Sequence, residues 1–222
     1  MDELSLRSTD FLPLEMDVAA LVAGGESSTR ATELATERAV ARASDARIVV
    51  LVEGISDAIA IEVIASRCGQ TFSGADAAVV PMGGVTNLGR FVSRFSGVVF
   101  AGLYDSGAEG HVQRVLDSGT RGGLRTSSLE DLGFYACVED LEDEFIRSLG
   151  TAAVERVIER EGQLKSFRTM QREPHYRDRS KAVQLRRFVG RWRYRYARLL
   201  AEAVDVGCAP TPVLRLLDHV TG

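Results

Sequence analysis

Ile48-Val49-Val50-Leu51-Val52-Glu53-Gly54-Ile55-Ser56-Asp57 joins an unbroken aliphatic run to an acid, a glycine and a second acid. A run with no polar alternation is a strand buried on both faces, as central strands of parallel sheets are. Ser56 or Asp57 is placed to cap the helix that follows, with Ile59, Ile61, Val63 and Ile64 on its inner side. The unit then repeats downstream. Ala77 to Met82 reads as a second strand closed by Gly83-Gly84, and Thr86-Asn87 opens a helix through Leu88, Phe91, Val92 and Phe95. Val98 to Tyr104 is a third strand ending at Asp105, followed by a helix carrying Val112, Val115 and Leu116. Phe134 to Val138 is a fourth and runs into Glu139-Asp140. Strands alternating with helices of about 10–15 residues predict an α/β fold, a four-stranded, mainly parallel sheet flanked by helices.

Around this core, taken as residues 45–145, the pattern changes. Residues 1–44 read as a loosely attached arm with a linker-like Gly24-Gly25-Glu26-Ser27-Ser28 and a short helix over Thr32–Ala43. Residues 146–222 read as a helical C-terminal extension, with helices near 141–149, 151–161 and 181–204 and a short turn of helix after Pro212. Hydrophobic residues at 45% and charged residues at 26% exclude wholesale disorder and collagen-like or disulfide-scaffold structure. No apolar run approaches the roughly 20 residues of a membrane helix. Met1-Asp2-Glu3 lacks the basic-then-apolar order of a signal peptide. Cys68, Cys137 and Cys208 are dispersed and odd in number, without metal-ligand spacing, so a reduced cytoplasmic compartment is expected.

The formal charge of −4 conceals an asymmetry. Between Lys165 and Arg198, twelve basic residues face only Glu173 and Asp178, which leaves +10 there and −14 elsewhere. An anionic partner explains the imbalance, and so does pairing with the acidic part of the same chain; charge alone does not separate them. Trp192, Tyr194 and Tyr196 alternate with Arg191, Arg193 and Arg195. Such interleaving can stack bases and grip phosphates. At helical spacing, however, Phe188, Trp192, Tyr196, Leu199 and Leu200 share a face, so the expectation is aromatics inward and arginines outward.

Acids recur where the strands end: Glu53 and Asp57, then Asp105 and Glu109, then Glu139, Asp140, Glu142, Asp143 and Glu144. The carboxyl ends of parallel strands form the ligand crevice of an open sheet. Each acid alone is well explained as a helix start, where Asp and Glu are favoured. Three strand ends in register are better explained by a cation that relieves their crowding, and hard oxygen ligands favour Mg²⁺ or Mn²⁺ over zinc.

The order of these motifs resembles the topoisomerase–primase (TOPRIM) domain, and more closely that of the OLD (overcoming lysogenization defect) family endonucleases, including stand-alone versions. The likeness rests on Val50-Leu51-Val52-Glu53-Gly54-Ile55-Ser56-Asp57, Pro81-Met82-Gly83-Gly84-Val85-Thr86-Asn87-Leu88, Gly102-Leu103-Tyr104-Asp105 and Glu139-Asp140-Leu141-Glu142-Asp143-Glu144. It continues through Phe167-Arg168-Thr169-Met170-Gln171, Gln184-Leu185-Arg186-Arg187-Phe188 and Arg195-Tyr196-Ala197, covering roughly residues 45–205. The resemblance implies a TOPRIM-like core and a divalent-metal-dependent nuclease acting on DNA phosphodiesters. It implies that Glu53 binds metal or exchanges a proton, that Asp57 and Asp105 bind Mg²⁺ or Mn²⁺, and that one or more of Glu139, Asp140 and Glu142 complete a second metal site. Ser56 would orient a carboxylate. Two such ions about 4 Å apart activate water and neutralise the leaving oxygen. Arg193 stands where the family typically places a late Lys that meets phosphate charge, and Arg grips phosphate in two places without donating a proton near neutral pH. Arg168, Arg172, Arg186, Arg187, Arg191 and Arg195 are the candidates for holding the DNA backbone.

Two departures stand out. Asp105-Ser106-Gly107 lacks the second acid of the family's Asp-x-Asp, for which Glu109 is a candidate substitute; otherwise the site holds one metal. No G-x-x-x-x-G-K-[ST] loop is present, so ATP hydrolysis by this chain is not expected, and any ATPase or helicase would be a separate partner. A homodimer stays open, as does a degenerate module that binds nucleic acid or an ATPase partner without cutting. Other chemistries find less support. Ala58 replaces the second glycine of a nucleophile elbow, the glycines at 83, 84 and 89 form no G-x-G-x-x-G, and His111, His175 and His219 are isolated.

Overall fold

The computed structural model describes residues 14, 18–19, 28–70, 72, 76–119 and 128–222. Four strands, β1 (Ile48–Val52), β2 (Ala77–Pro81), β3 (Val99–Asp105) and β4 (Phe134–Cys137), pair in parallel in the order β2-β1-β3-β4. The unbroken run of β1 is central, as its composition requires, and Val49 to Val52 are buried. Pro81, which cannot donate to a ladder, sits at the last position of the β2 edge strand.

Alternation along the strands builds two apolar layers. Val50, Val52, Val79, Ala101, Leu103 and Tyr135 point into one, and Val49, Leu51, Val80, Tyr104 and Phe134 into the other. The second layer is closed by α3 (Leu88–Arg94) and α4 (Glu109–Gly119), through Leu88, Phe91, Val112 and Leu116. The first is much deeper. It takes α2 (Ile55–Arg67), most of α1 (Ser28–Arg42), and every helix after the sheet: α5 (Leu141–Leu149), α6 (Thr151–Arg160), α7 (Leu164–Gln171), α8 (Lys181–Val189), α9 (Arg193–Ala203) and α10 (Thr211–Thr221). The extension is therefore continuous with the core. Helix α9 packs on α2, and Arg67 of α2 donates to the carbonyls of Ala201 and Val204, both at 2.6 Å, at the end of α9. Those carbonyls have no partner within their own helix, so the guanidinium satisfies them. No helix among the described residues is long and apolar enough to cross a membrane.

The strands match their expected positions within a residue or so, and four differences are informative. The short helix foreseen at residues 32–43 begins at Ser28, and although most of the first 27 residues lie outside the described set, Leu14 and Val18 are buried in the main core. The Leu14 N–H donates to Glu62 at 2.9 Å, so this part of the arm is docked rather than loose. The helix α7 was not foreseen; Phe167 and Met170 bury its inner side. The turn after Pro212 is a full helix, α10, lying against β3 and β4. Finally, the run 181–204 is interrupted by a tight 3-10 turn at Gly190–Trp192.

Candidate functional site

The carboxyl ends of β1 and β3, the loop after β2, the loop after β4 and the start of α9 enclose a cleft of ≈ 390 Å³. Its walls include Glu53, Ser56, Asp57, Asp105, Asp140, Glu142 and Arg193. Parallel register explains the meeting: Val52 lies beside Pro81, and Asp105 beside Cys137, so the chain leaves each strand at one rim.

Local structure fixes each carrier. Gly54 is the N-cap of α2, and the Asp57 carboxylate reaches back to accept its N–H at 2.8 Å, so Asp57 sits in the first turn rather than at the cap. Asp140 caps α5 by accepting from the Asp143 N–H at 2.8 Å. The helix-start role considered for single acids thus holds for both, alongside their place in the cleft. Gly83 and Gly84 adopt φ of 71° and 122°, which side chains rarely tolerate, and let the loop turn back so that the Gly84 N–H donates to the Glu53 carbonyl at 2.9 Å. Asn87 braces that loop through the Met82 carbonyl at 3.0 Å. The backbone that presents Glu53 is held from both sides.

Crowding shows in the ionisation. Asp57 keeps an open side toward the cleft but is otherwise enclosed, and burial with the field of Glu142, aided by Asp105 and Glu53, pushes its carboxyl from 3.8 to about 8 against the opposing Gly54 hydrogen bond. Burial, then Glu53, Asp140 and Glu142, raise Asp105 to about 7, with Arg186 opposing. Burial and Asp140 raise Glu142, with Arg193 and Arg186 opposing. An all-oxygen donor set whose members resist simultaneous ionisation suits a hard divalent cation, which would supply the missing positive charge. Among the described residues the acids are not already drawn into a three-ligand cage.

Other candidates lie elsewhere. Glu109 starts α4 beyond a 3-10 turn at Ser106–Ala108, is exposed, and does not line the cleft. Glu139 is also outside it, its side chain 61% exposed and paired with Arg186 at 3.1 Å. Arg186 further donates to Asp140 at 2.6 Å, so both Asp140 oxygens are engaged. Arg186, Arg187 and Arg193 line an adjoining pocket of ≈ 340 Å³ that shares Asp140 and Glu142 with the cleft. Of the remaining arginines, Arg168 pairs with Glu155 and Arg195 with Glu161, while Arg172 and Arg191 are exposed and carry no salt bridge among the described residues. Internal pairing therefore absorbs part of the basic excess, and part of it is left to solvent.

Thr32, Thr36 and Tyr194 also line the cleft, with the Thr32 and Tyr194 hydroxyls 3.3 Å apart. Sequence reasoning names Tyr194 only within its aromatic–basic run and passes over Thr32 and Thr36. The i, i+4 spacing of two threonines on a helix is the one signal that could have raised them.

Comparison with known proteins bears on the fold. Residues 46–101 match the family model of the overcoming lysogenization defect protein-like TOPRIM domain. The structure resembles the C-terminal region of the Burkholderia pseudomallei OLD protein, with a TM-score of 0.58, 17% identity, and coverage of 78% of this chain and 96% of that one. It also resembles the C-terminal region of the Xanthomonas campestris pv. campestris OLD protein, in a form phased with platinum, with a TM-score of 0.59, 19% identity, and coverage of 79% and 92%. A form of that region phased with mercury gives 0.57, 22%, and coverage of 79% and 94%. At these identities the likeness speaks for the fold. No curated protein matches the sequence.

Proposed function

Since this chain carries an OLD-like TOPRIM domain in the fold of OLD C-terminal regions, we propose that it is a divalent-metal-dependent nuclease acting on DNA phosphodiesters. The observation that carries this reading is the convergence of Glu53, Asp57, Asp105 and Glu142 on one cleft, with two of them pushed up to about 8 and about 7. Strongly raised carboxyls in a cleft mark a functional site. Glu53, Asp57, Asp105 and Glu142 are the residues to hold Mg²⁺ or Mn²⁺. A cation bound there supplies Lewis acidity and makes water a nucleophile at neutral pH. Arg193, exposed at the cleft wall, offers a fixed fork of donors to a phosphate. Arg186 and Arg187 in the adjoining pocket extend that basic edge. Ser56, next to Asp57 in the first turn of α2, is buried and lines the cleft.

The test is plasmid nicking with Mn²⁺ or Mg²⁺, comparing wild type with Glu53→Ala and Asp105→Ala. Nicking by wild type alone supports the reading, and equal activity in all three removes it. A second reading, a module that binds without cutting, is favoured by the doubly engaged Asp140 and by Gly107 in place of a second acid. Calorimetric metal binding and salt-sensitive DNA binding with no nicking would select it.

A further inference from the structure

The turn at Gly190–Trp192 changes what the basic surface offers. In an unbroken helix, residues 188, 192 and 196 would share a face. Phe188 and Tyr196 are buried at 0% and 1% exposure, whereas Trp192 between them is 41% exposed. The tight turn, completed by Trp192 at φ −127° and ψ 51°, rotates the indole away from the core. Its ring neighbour is Phe188, 5.3 Å away and inclined at 62°, an edge contact that does not cover the indole with a parallel ring.

The surroundings of this ring are cationic. Arg191 and Arg193 flank it in sequence, both exposed and neither in a salt bridge among the described residues. Arg193 is also part of the acid cleft wall. Val183, itself 48% exposed, lines the adjoining pocket together with Arg186, Arg187 and Arg193, beside the carboxylates of Asp140 and Glu142. A peptide partner with an apolar patch would find the wrong company here, because the charge around the ring calls for an anion.

We propose that Trp192 is a stacking platform for an unpaired nucleobase of a DNA strand whose phosphates are met by Arg191, Arg193 and Arg187. This rests on the DNA reading above and deepens it by naming the substrate class: single-stranded or locally opened DNA. Aromatic rings stack any base, and neighbouring cations track the backbone, which is how single strands are held without sequence readout. In a closed duplex the base faces are already covered, so the indole finds no partner there without unpairing.

The indole is the only tryptophan of the chain, so its emission reports on this one position. Wild-type protein in EDTA, where no metal-dependent cutting occurs, is titrated at fixed salt with an oligothymidylate of about 12 nucleotides, within the span of one such site, and with a blunt duplex. The expected result is saturable quenching by the single strand and weaker binding of the duplex. Anisotropy of the labelled oligothymidylate should show Trp192→Ala binding about tenfold more weakly and Trp192→Phe within about threefold of wild type. Unchanged emission on binding, or equal affinity of Trp192→Ala and wild type, overturns the proposal. If either result accompanies Glu53-dependent nicking, only this inference falls. If neither form of DNA binds, the proposal falls, and if Glu53-dependent nicking in Mn²⁺ is also absent the DNA reading falls with it.

Discussion

Replacing Asp57 by Asn tests the electrostatic core of the site through stability alone. The folded carboxyl stands at about 8 against an ordinary 3.8. Above about pH 4 the unfolded chain releases this proton while the folded chain keeps it, so the folded state binds more protons. Stability must therefore fall as pH rises, until both states are ionised near pH 8. One pH unit is worth about 1.4 kcal/mol for a fully protected group. Water at the open side of the cleft and relaxation of its neighbours reduce the total to on the order of 2–4 kcal/mol by pH 8. Asp105, raised to about 7, adds a slope of the same sign. Asn keeps the shape and the acceptor for the Gly54 N–H but cannot ionise. Urea denaturation in EDTA, followed by circular dichroism at pH 5 and pH 8, should show wild type losing stability with pH. Asp57→Asn should lose much less and be the more stable protein at pH 8 by roughly 2–4 kcal/mol. Mn²⁺ at a hundred times its dissociation constant should restore about 2.7 kcal/mol to wild type at pH 8, and little to the variant. A wild-type stability that rises between pH 5 and pH 8, or identical slopes for the two proteins, would refute the reasoning.

Three further outcomes follow from particular contacts. A Cβ at Gly102 would lie 2.3 Å from the Leu51 carbonyl oxygen and 3.0 Å from the Phe134 ring, so Gly102→Ala should cost about 3 kcal/mol or leave the protein insoluble, as read by denaturation or soluble yield. Leu14→Ala, at a fully buried position, should cost about 2–5 kcal/mol in the same assay; a loss under about 0.5 kcal/mol would restore the loose-arm reading. Arg193→Ala should lower nicking by about a hundredfold and Arg193→Lys by much less, measured as initial rates in Mn²⁺; equal rates for all three proteins would exclude phosphate contact by this side chain.

What could be read from the sequence followed from short-range physics. The aliphatic run at 48–52 and the acid after each of three strands are local patterns, and parallel pairing then gathers the strand ends at one rim. What escaped was tertiary. Arg186 meets Glu139 and Asp140 across 47 and 46 residues of chain, and no local pattern pairs a charge with its partner at that range. Leu14 and Val18 lie in an apolar-rich stretch, Phe11 to Ala23, that shows no sustained period, yet the core takes them in. Trp192 fits the helical period of residues 188 and 196, and only the turn at Gly190 breaks that period. Glu109 failed for the opposite reason: two residues of separation from Gly107 looked close, but a tight turn and a helix start set it on the surface.

Anomalous diffraction at the manganese edge, from crystals grown at pH 8 with saturating Mn²⁺, reads the ligands of the site directly. The account predicts a peak in the cleft with oxygens of Glu53 and Asp105 in its coordination sphere, at a little over 2 Å. A saturated crystal with no manganese between those two side chains would contradict it.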